Sequence, residues 1–154
     1  MTYLFLKWVH IISSTILFGT GIGSAYYVFM AHRSRDISCI RFAMRQVVVA
    51  DFLFTTPAIF VQAITGAALG YYAGFDFSSL WLVWAIVLYL LVGVCWMPVV
   101  YLQIRMRDIA EQAYASQQSL PSSYWNQYRW WLILGSIAFP AVVAVFYLMV
   151  FKPI

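Results

Sequence analysis

The chain has 154 residues, of which 64% are hydrophobic and 9% are charged, and its formal net charge is +4. Soluble domains carry about a quarter charged residues, and a small domain leaves much of its surface in water, so this composition excludes a water-soluble fold. The cations lie at the ends of apolar segments, so we expect contact with a lipid bilayer and no nucleic-acid binding.

Four apolar segments follow one another along the chain, each longer than the roughly 20 residues that cross a hydrocarbon core as a helix. The predicted spans cover about 3–31, 46–72, 80–102 and 125–151. The first is too long for the hydrophobic region of a signal peptide, so we interpret it as a true span. Since helices satisfy their own backbone polar groups in lipid, the sequence predicts an all-α fold: a single domain over residues 1–154 that forms a four-transmembrane-helix bundle.

Arginines are concentrated in two of the three connections. They lie between spans one and two and between spans three and four, whereas the connection between spans two and three contains no Lys or Arg. Because cytoplasmic connections carry the excess of cations, we expect both the N- and the C-terminus on the non-cytoplasmic side. The third span is expected to continue as a helix out of the membrane through Glu111 and to end before Pro121.

Glycines recur at a spacing of four on the first two spans. Gly19 and Gly23 lie on span one, and Gly66 and Gly70 lie on span two. Helices in lipid associate through close packing, which small residues allow. We therefore expect spans one and two to be close neighbours.

Ionisable and polar residues inside the spans are few, and such residues usually mark function because they are costly in hydrocarbon. Lys7 and His10 share a face of span one, and His10 lies about 10 Å below the outer end of its helix. At a similar depth, Gln62 lies on span two and Met149 on span four. We predict a polar pocket that opens to the outer face and is lined by these four residues.

Two interpretations of His10 remain open. In the first, its imidazole ligates haem iron or another metal, or passes protons, while Lys7 pairs with a haem propionate or another anion. In the second, His10 hydrogen-bonds a Gln or Ser of the next helix and Lys7 extends to the headgroups. His32 lies about 33 Å along the helix, so a second haem ligand would come from Met149 or from a homodimer. We assign His32 to the cytoplasmic boundary and its cluster of charges.

Asp51 is the one acidic residue inside a predicted span. It could act as a proton-relay carboxylate. Alternatively, it could form an interhelical ion pair with an arginine, with Gln103 joining that network. The candidate partners are Arg45, Arg105 and Arg129.

Residues 3–12 (YLFLKWVHII) and 29–32 (FMAH) resemble a family of small bacterial integral membrane proteins of unknown function, DUF2269. More distantly, the first span is similar to that of HemJ-type protoporphyrinogen oxidases and CopD copper-resistance proteins. The resemblance implies a multi-pass helical protein of the bacterial inner membrane that binds haem b through Lys7 and His10.

Three functional hypotheses follow. The first is a haem b-binding or quinone-linked redox protein, an oxidoreductase of HemJ-like type. In this hypothesis Lys7, His10 and Asp51 are catalytic, His10 is the metal ligand, and Gln62 and Met149 complete the cofactor site. The second is a copper or proton-coupled permeation protein that uses the polar stripe of His10, Gln62 and Asp51. The third is a non-catalytic accessory subunit of a larger membrane complex, in which the polar residues hold helices together.

Overall fold

The computed structural model describes residues 1–153, and within them all regular structure is helical. The elements are α1 (Thr2–Ser34), α2 (Ile37–Ala50), a π-helical segment (Asp51–Thr55), α3 (Thr56–Ala73), α4 (Leu80–Ala115) and α5 (Ser122–Phe151). The π-helical segment joins α2 to α3 without a break, so residues 37–73 form one continuous rod.

Four helices are long and apolar enough to cross a membrane. They are Thr2–Ser34, Ile37–Ala73, Leu80–Ala115 and Ser122–Phe151. This confirms the predicted all-α bundle of four spans. The predicted continuation of the third span as a helix through Glu111 is also confirmed, since α4 continues to Ala115. The side of the membrane on which the termini lie stays a prediction.

Short caps reverse the chain at the helix ends. After α1, Arg35 adopts a left-handed conformation with φ of 57°. Asp36 then caps α2, its carboxylate accepting a hydrogen bond from the backbone N–H of Ser38 at 2.8 Å. Gly74 ends α3 at φ of 65°, a conformation that glycine adopts without steric cost. Span one packs along span two through α3, whereas span two meets span three mainly through α2.

The most deeply buried side chains lie at the arginine-rich end of the bundle. There the amphipathic α2 packs its apolar face, including Met44 and Val47, against Met106 of α4 and Tyr124 of α5. Away from this end, α1 packs along α3 and α4 packs along α5. The interface between α1 and α3 holds His10 and Gln62.

The glycines contribute to this packing only on α3. A Cβ atom at Gly66 would lie 3.3 Å from Cε1 of His10, and one at Gly70 would lie 2.7 Å from the Phe77 ring. A Cβ atom at Gly19 or Gly23 would meet nothing within 4 Å. The close approach of spans one and two is confirmed, but the role predicted for the α1 glycines was wrong. Spacing alone does not show which face of a helix turns toward its neighbour.

Candidate functional site

The His10 imidazole is hydrogen-bonded through both of its nitrogen atoms to α3. The Thr65 hydroxyl lies 2.6 Å from the carbonyl oxygen of Val61 and donates to it. Thr65 Oγ1 therefore accepts from His10 Nδ1–H at 2.8 Å. His10 Nε2, left as the acceptor, receives the side-chain amide N–H of Gln62 at 2.9 Å. The tautomer follows from this network rather than from observed hydrogens.

Ser13 and Gly66 complete this arrangement. The Ser13 hydroxyl lies within hydrogen-bond distance of the Gln62 amide oxygen and of the His10 carbonyl oxygen. Gly66 leaves room for the edge of the imidazole ring. Gln62, Thr65 and Gly66 lie three and four positions apart, so they share one face of α3. We call His10, Ser13, Gln62 and Thr65 the outer polar cluster.

Lys7 and Met149 are not drawn into the outer polar cluster. Both side chains are exposed. No hydrogen bond or ion pair within residues 1–153 links Lys7 to His10 or Gln62. His10 and Gln62 touch each other instead of flanking an open pocket. The hydrogen bond foreseen in the second interpretation of His10 is therefore present.

A second polar cluster surrounds Asp51. Asp51 is 6% exposed, and its Oδ1 atom accepts from the Thr55 hydroxyl at 2.8 Å, while its Oδ2 atom has no hydrogen-bond partner. The side chain of Gln103, 3% exposed, lies beside the carboxyl group, and its amide oxygen also lacks a donor. The Tyr27 hydroxyl is buried without a hydrogen-bond partner and lies within electrostatic range of the same carboxyl group. We call Tyr27, Asp51, Thr55 and Gln103 the Asp51 cluster.

The π-helical segment that carries Asp51 has a local cause. Pro57 has no backbone N–H and its ring crowds the preceding turn, so the regular hydrogen-bond ladder cannot continue through it. The chain widens ahead of the proline, where the Thr56 N–H bonds the carbonyl oxygen of Asp51, five positions back. Its hydroxyl also donates to that oxygen, at 2.8 Å. Such π-helical turns inside helices are frequent at functional sites.

The predicted ion pair of Asp51 with an arginine was wrong. Within residues 1–153 the ion pairs are Arg41 with Glu111 at 2.6 Å and Arg107 with Asp108 at 2.8 Å. Asp51 lies about 9 Å deeper along its helix than Arg45, so the cations at the bundle end do not reach it. Arg105 and Arg129, the other predicted partners, are exposed there. The carboxyl group is left among neutral polar groups.

His32 lies at the arginine-rich end, as predicted, but its contacts are aromatic and not with the cluster of charges. Its Nδ1–H donates to the Val28 carbonyl oxygen at 2.7 Å, and the Tyr124 hydroxyl lies 2.8 Å from Nε2 and donates to it. The ring of Tyr128 stacks on the imidazole with centroids 3.9 Å apart. His32 therefore links α1 to α5 as a neutral side chain, through its hydrogen bond with Tyr124.

Both ring nitrogens of each histidine are hydrogen-bonded within the protein. Within residues 1–153 no group of three or more His, Cys, Asp or Glu side chains could hold an ion. Axial ligation of haem b by His10 would require Nε2 to leave Gln62, and Gly66 packs against the ring edge. The residues around His10 therefore do not fit the haem group in this conformation.

Three contributors were missed in the sequence: Ser13 of the outer polar cluster, Tyr27 of the Asp51 cluster and Tyr124, the partner of His32. The two tyrosines are aromatic residues among many in apolar helices, and 19% of the chain is aromatic. The role of their hydroxyl groups depends on contacts with neighbouring helices, which the sequence does not show. The pairing of His10 with Gln62, in contrast, was accessible from equal depth on adjacent antiparallel helices.

The fold and its polar interfaces define a helical integral membrane protein with buried polar groups at two depths. A family model described as "Predicted integral membrane protein (DUF2269)" matches residues 4–153, and the chain belongs to that family. No curated protein and no solved structure matches the chain. The resemblance to HemJ-type and CopD proteins stays a prediction.

Proposed function

We propose that this protein is a proton-coupled membrane permeation protein in which Asp51 binds and releases the proton. The observation that carries the proposal is a buried carboxyl group that has one oxygen without a partner and no ion-pairing cation within residues 1–153. An ionised carboxylate in hydrocarbon is costly unless it is paired, so the neutral acid is the expected resting form.

A proton on Asp51 Oδ2 provides a hydrogen bond for two buried atoms that lack one, Asp51 Oδ2 itself and the amide oxygen of Gln103. The protonated oxygen becomes a donor, and the amide oxygen of Gln103, which lacks one, accepts from it when the amide group rotates its oxygen toward Asp51. When the proton leaves, rotation of the Gln103 amide turns its NH₂ group toward the carboxylate. Proton release is thereby coupled to a side-chain movement between α4 and the π-helical segment.

In this proposal, the outer polar cluster is the second site along the proton pathway. Neutral His10 has a donor on one nitrogen and an acceptor on the other, the arrangement that a proton relay needs. Gln62 lies about 10 Å from Thr55 along the helix, and the buried Ala58 lies between them. The two clusters are thus separated by an apolar constriction, so transfer requires a movement of α1 against α3 or entry of water.

Proton flux into liposomes tests the proposal. Purified protein is reconstituted with an internal pH-sensitive dye, and flux is measured after a pH jump with a potassium diffusion potential. Asp51→Asn should abolish the protein-dependent flux. The matched control Asp76→Asn removes an exposed acid from the connection between α3 and α4 and should leave the flux unchanged.

Infrared difference spectroscopy addresses the same site without requiring transport. The wild-type protein should show the C=O stretch of a buried protonated carboxyl group at neutral pH, and Asp51→Asn should remove it. Equal flux in the wild type and Asp51→Asn, or the absence of that band from the wild type, contradicts the proposal.

The haem b and quinone hypotheses rest on the Lys7 and His10 pair and on the resemblance of the first span, and the copper hypothesis rests on the polar stripe of His10, Gln62 and Asp51. Titration of purified protein with hemin, followed by spectra before and after dithionite, tests the haem hypothesis directly. Since Nε2 of His10 is engaged by Gln62, hemin binding through this residue should strengthen when the hydrogen bond is removed in Gln62→Leu. A Soret band that persists in His10→Ala would assign any bound haem to another ligand.

The accessory-subunit hypothesis gains support from the outer polar cluster, whose hydrogen bonds join α1 to α3 whatever else the protein does. Copurification of a fixed partner from native membranes would favour it. In that case the flux assay on the isolated chain should show no protein-dependent signal.

A further inference from the structure

A groove of about 680 Å³ lies at the arginine-rich end, between the end of α1 and the first turns of α5. This volume falls in the range of about 300–1,000 Å³ that is typical of ligand sites. The groove is lined by Phe29, His32, Arg33, Arg35, Trp125 and Tyr128. It combines two cations with an aromatic wall, and neither polar cluster described above contributes to it.

Both arginines of this groove are available to bind an anionic ligand. Arg33 and Arg35 are exposed, and no carboxylate of residues 1–153 lies within ion-pair distance of either guanidinium group. Asp36 follows directly, but its carboxylate accepts hydrogen bonds from Ser38 and from the Cys39 thiol. Two unpaired guanidinium groups beside one groove favour an anion, and phosphate suits them because each guanidinium can donate two parallel hydrogen bonds.

The wall of the groove is rigid. The ring nitrogens of His32 are occupied by Val28 and Tyr124, and Tyr128 stacks against the imidazole. The groove therefore offers a flat, neutral surface and leaves ligand recognition to the arginines. Trp125, 36% exposed, lies at the edge of the groove, with its ring nearly perpendicular to the imidazole of His32.

Phe29 connects the groove to the lipid-facing surface. It is 46% exposed and lies one turn toward the membrane from Arg33 on α1. A ligand that contacts both residues needs an anionic end and an apolar end, in that order along the membrane normal. Tryptophan and tyrosine are enriched at this level of a bilayer, where headgroups meet acyl chains.

We propose that this groove is a binding site for an anionic phospholipid, with the phosphate on Arg33 and Arg35 and an acyl chain along Phe29. A neighbouring cavity of about 930 Å³ shares Arg35 and Trp125, and its other polar lining residues include Gln117, Gln118, Ser119 and the acidic Asp36, whose carboxylate can accept hydrogen bonds from hydroxyl groups. This polar extension suits a headgroup that carries hydroxyl groups, as in phosphatidylglycerol. Basic pockets between transmembrane helices are a recognised mode of lipid headgroup recognition.

Lipid selectivity in reconstituted membranes tests the site. The association of spin-labelled phosphatidylglycerol with the full-length protein is compared with that of spin-labelled phosphatidylcholine. The wild type should prefer phosphatidylglycerol. The double variant Arg33→Gln/Arg35→Gln should lose roughly five-fold in that preference for each arginine removed.

The matched control is Arg45→Gln/Arg105→Gln, which removes two exposed arginines without an ion pair in residues 1–153 from α2 and α4 at the same end of the bundle. It should keep the preference for phosphatidylglycerol. An equal loss in both double variants would mean that the preference comes from diffuse charge and would overturn the assignment of this groove. Circular dichroism of each variant verifies that the helices are intact.

Competition with inorganic phosphate distinguishes a phospholipid headgroup from free phosphate as the ligand of this groove. A large molar excess should leave most of the bound phosphatidylglycerol in place, because it cannot reproduce the acyl contact with Phe29. Full displacement by phosphate, or unchanged association of phosphatidylglycerol with Phe29→Ala, would mean that the site binds the phosphate without the acyl chain and would overturn the lipid proposal. None of these outcomes depends on proton transfer at Asp51.

Discussion

Nε2 of His10 and the side-chain amide nitrogen of Gln62 lie 2.9 Å apart across the interface of α1 and α3. Because the other ring nitrogen donates to Thr65, this hydrogen bond satisfies the last polar atom of the imidazole. The pair therefore contributes to helix association in a region where water cannot replace it.

Replacing Gln62 with leucine should destabilise the protein by about 1 kcal/mol, since interhelical hydrogen bonds in membrane proteins are worth roughly 0.6–1.7 kcal/mol. The measurement is thermal or denaturant unfolding in mild detergent. Gln112→Leu is the control, because Gln112 is exposed near the end of α4 and no hydrogen bond is assigned to its side chain. Equal stability of Gln62→Leu and the wild type would show that the hydrogen bond makes no net contribution.

Gly66 and Gly19 provide a matched pair of glycine substitutions. A Cβ atom at Gly66 would crowd Cε1 of His10 at 3.3 Å, so Gly66→Ala should displace the imidazole and cost roughly 1 kcal/mol. Gly19→Ala places its methyl group in open space and should leave stability unchanged or raise it by up to about 1 kcal/mol. Unfolding of the two variants side by side is the measurement. A reversed order would mean that α1 uses its Gly19 face against another molecule.

The sequence predicts the four spans because apolar length and the polar connections are local properties of the chain. The equal depth of His10 and Gln62 follows from helical rise, so their proximity was also within reach. The neutral surroundings of Asp51 were not, because they depend on the relative rotation and tilt of α1, α3 and α4. Rotation about a helix axis is set by packing and leaves little trace in a uniformly apolar sequence.

Because helix rotation is not visible in the sequence, the aromatic contacts of His32 were not predicted either. Its position beside Arg33 and Arg35 suggested a cluster of charges, since charge is visible in the sequence and rotation is not. In the fold, the arginines point to the groove and the surface while the imidazole turns toward Tyr124 and Tyr128. The aromatic environment depends on α5, which is about ninety positions away in the chain.

Tyr124 and Tyr27 differ in what their hydroxyl groups do, and this difference gives a prediction. The Tyr124 hydroxyl donates to buried His32, so Tyr124→Phe should cost about 1–3 kcal/mol by leaving Nε2 without a donor. The Tyr27 hydroxyl is buried without a partner, so Tyr27→Phe should be neutral or stabilising. Unfolding in detergent measures both. A loss in Tyr27→Phe as large as that in Tyr124→Phe would show that the Tyr27 hydroxyl has a bound partner, such as water.

The cap of α2 gives a prediction about pH. Hydrogen bonds from the side chain and the backbone of Ser38, and from the Cys39 thiol, lower the pKa of the exposed Asp36 below its usual value of 3.8. A carboxyl group whose pKa is lower in the folded protein contributes stability that is fully present above its unfolded pKa. This contribution is lost as the pH falls through the folded pKa. The cap should therefore weaken only below about pH 4.

Ser38→Ala removes the largest of these causes while the backbone N–H still donates to the carboxylate. The pKa of Asp36 should rise toward its usual value, so the acid-induced fall in melting temperature should be smaller than in the wild type and should end at a higher pH. Asp36→Asn is the control, because asparagine also caps helices but does not titrate in this range. Its melting temperature should lose the part of the pH dependence that comes from the cap. Identical acid profiles for the wild type, Ser38→Ala and Asp36→Asn would mean that the Asp36 carboxylate does not stabilise α2, because a stabilising cap must be lost when its acceptor is protonated.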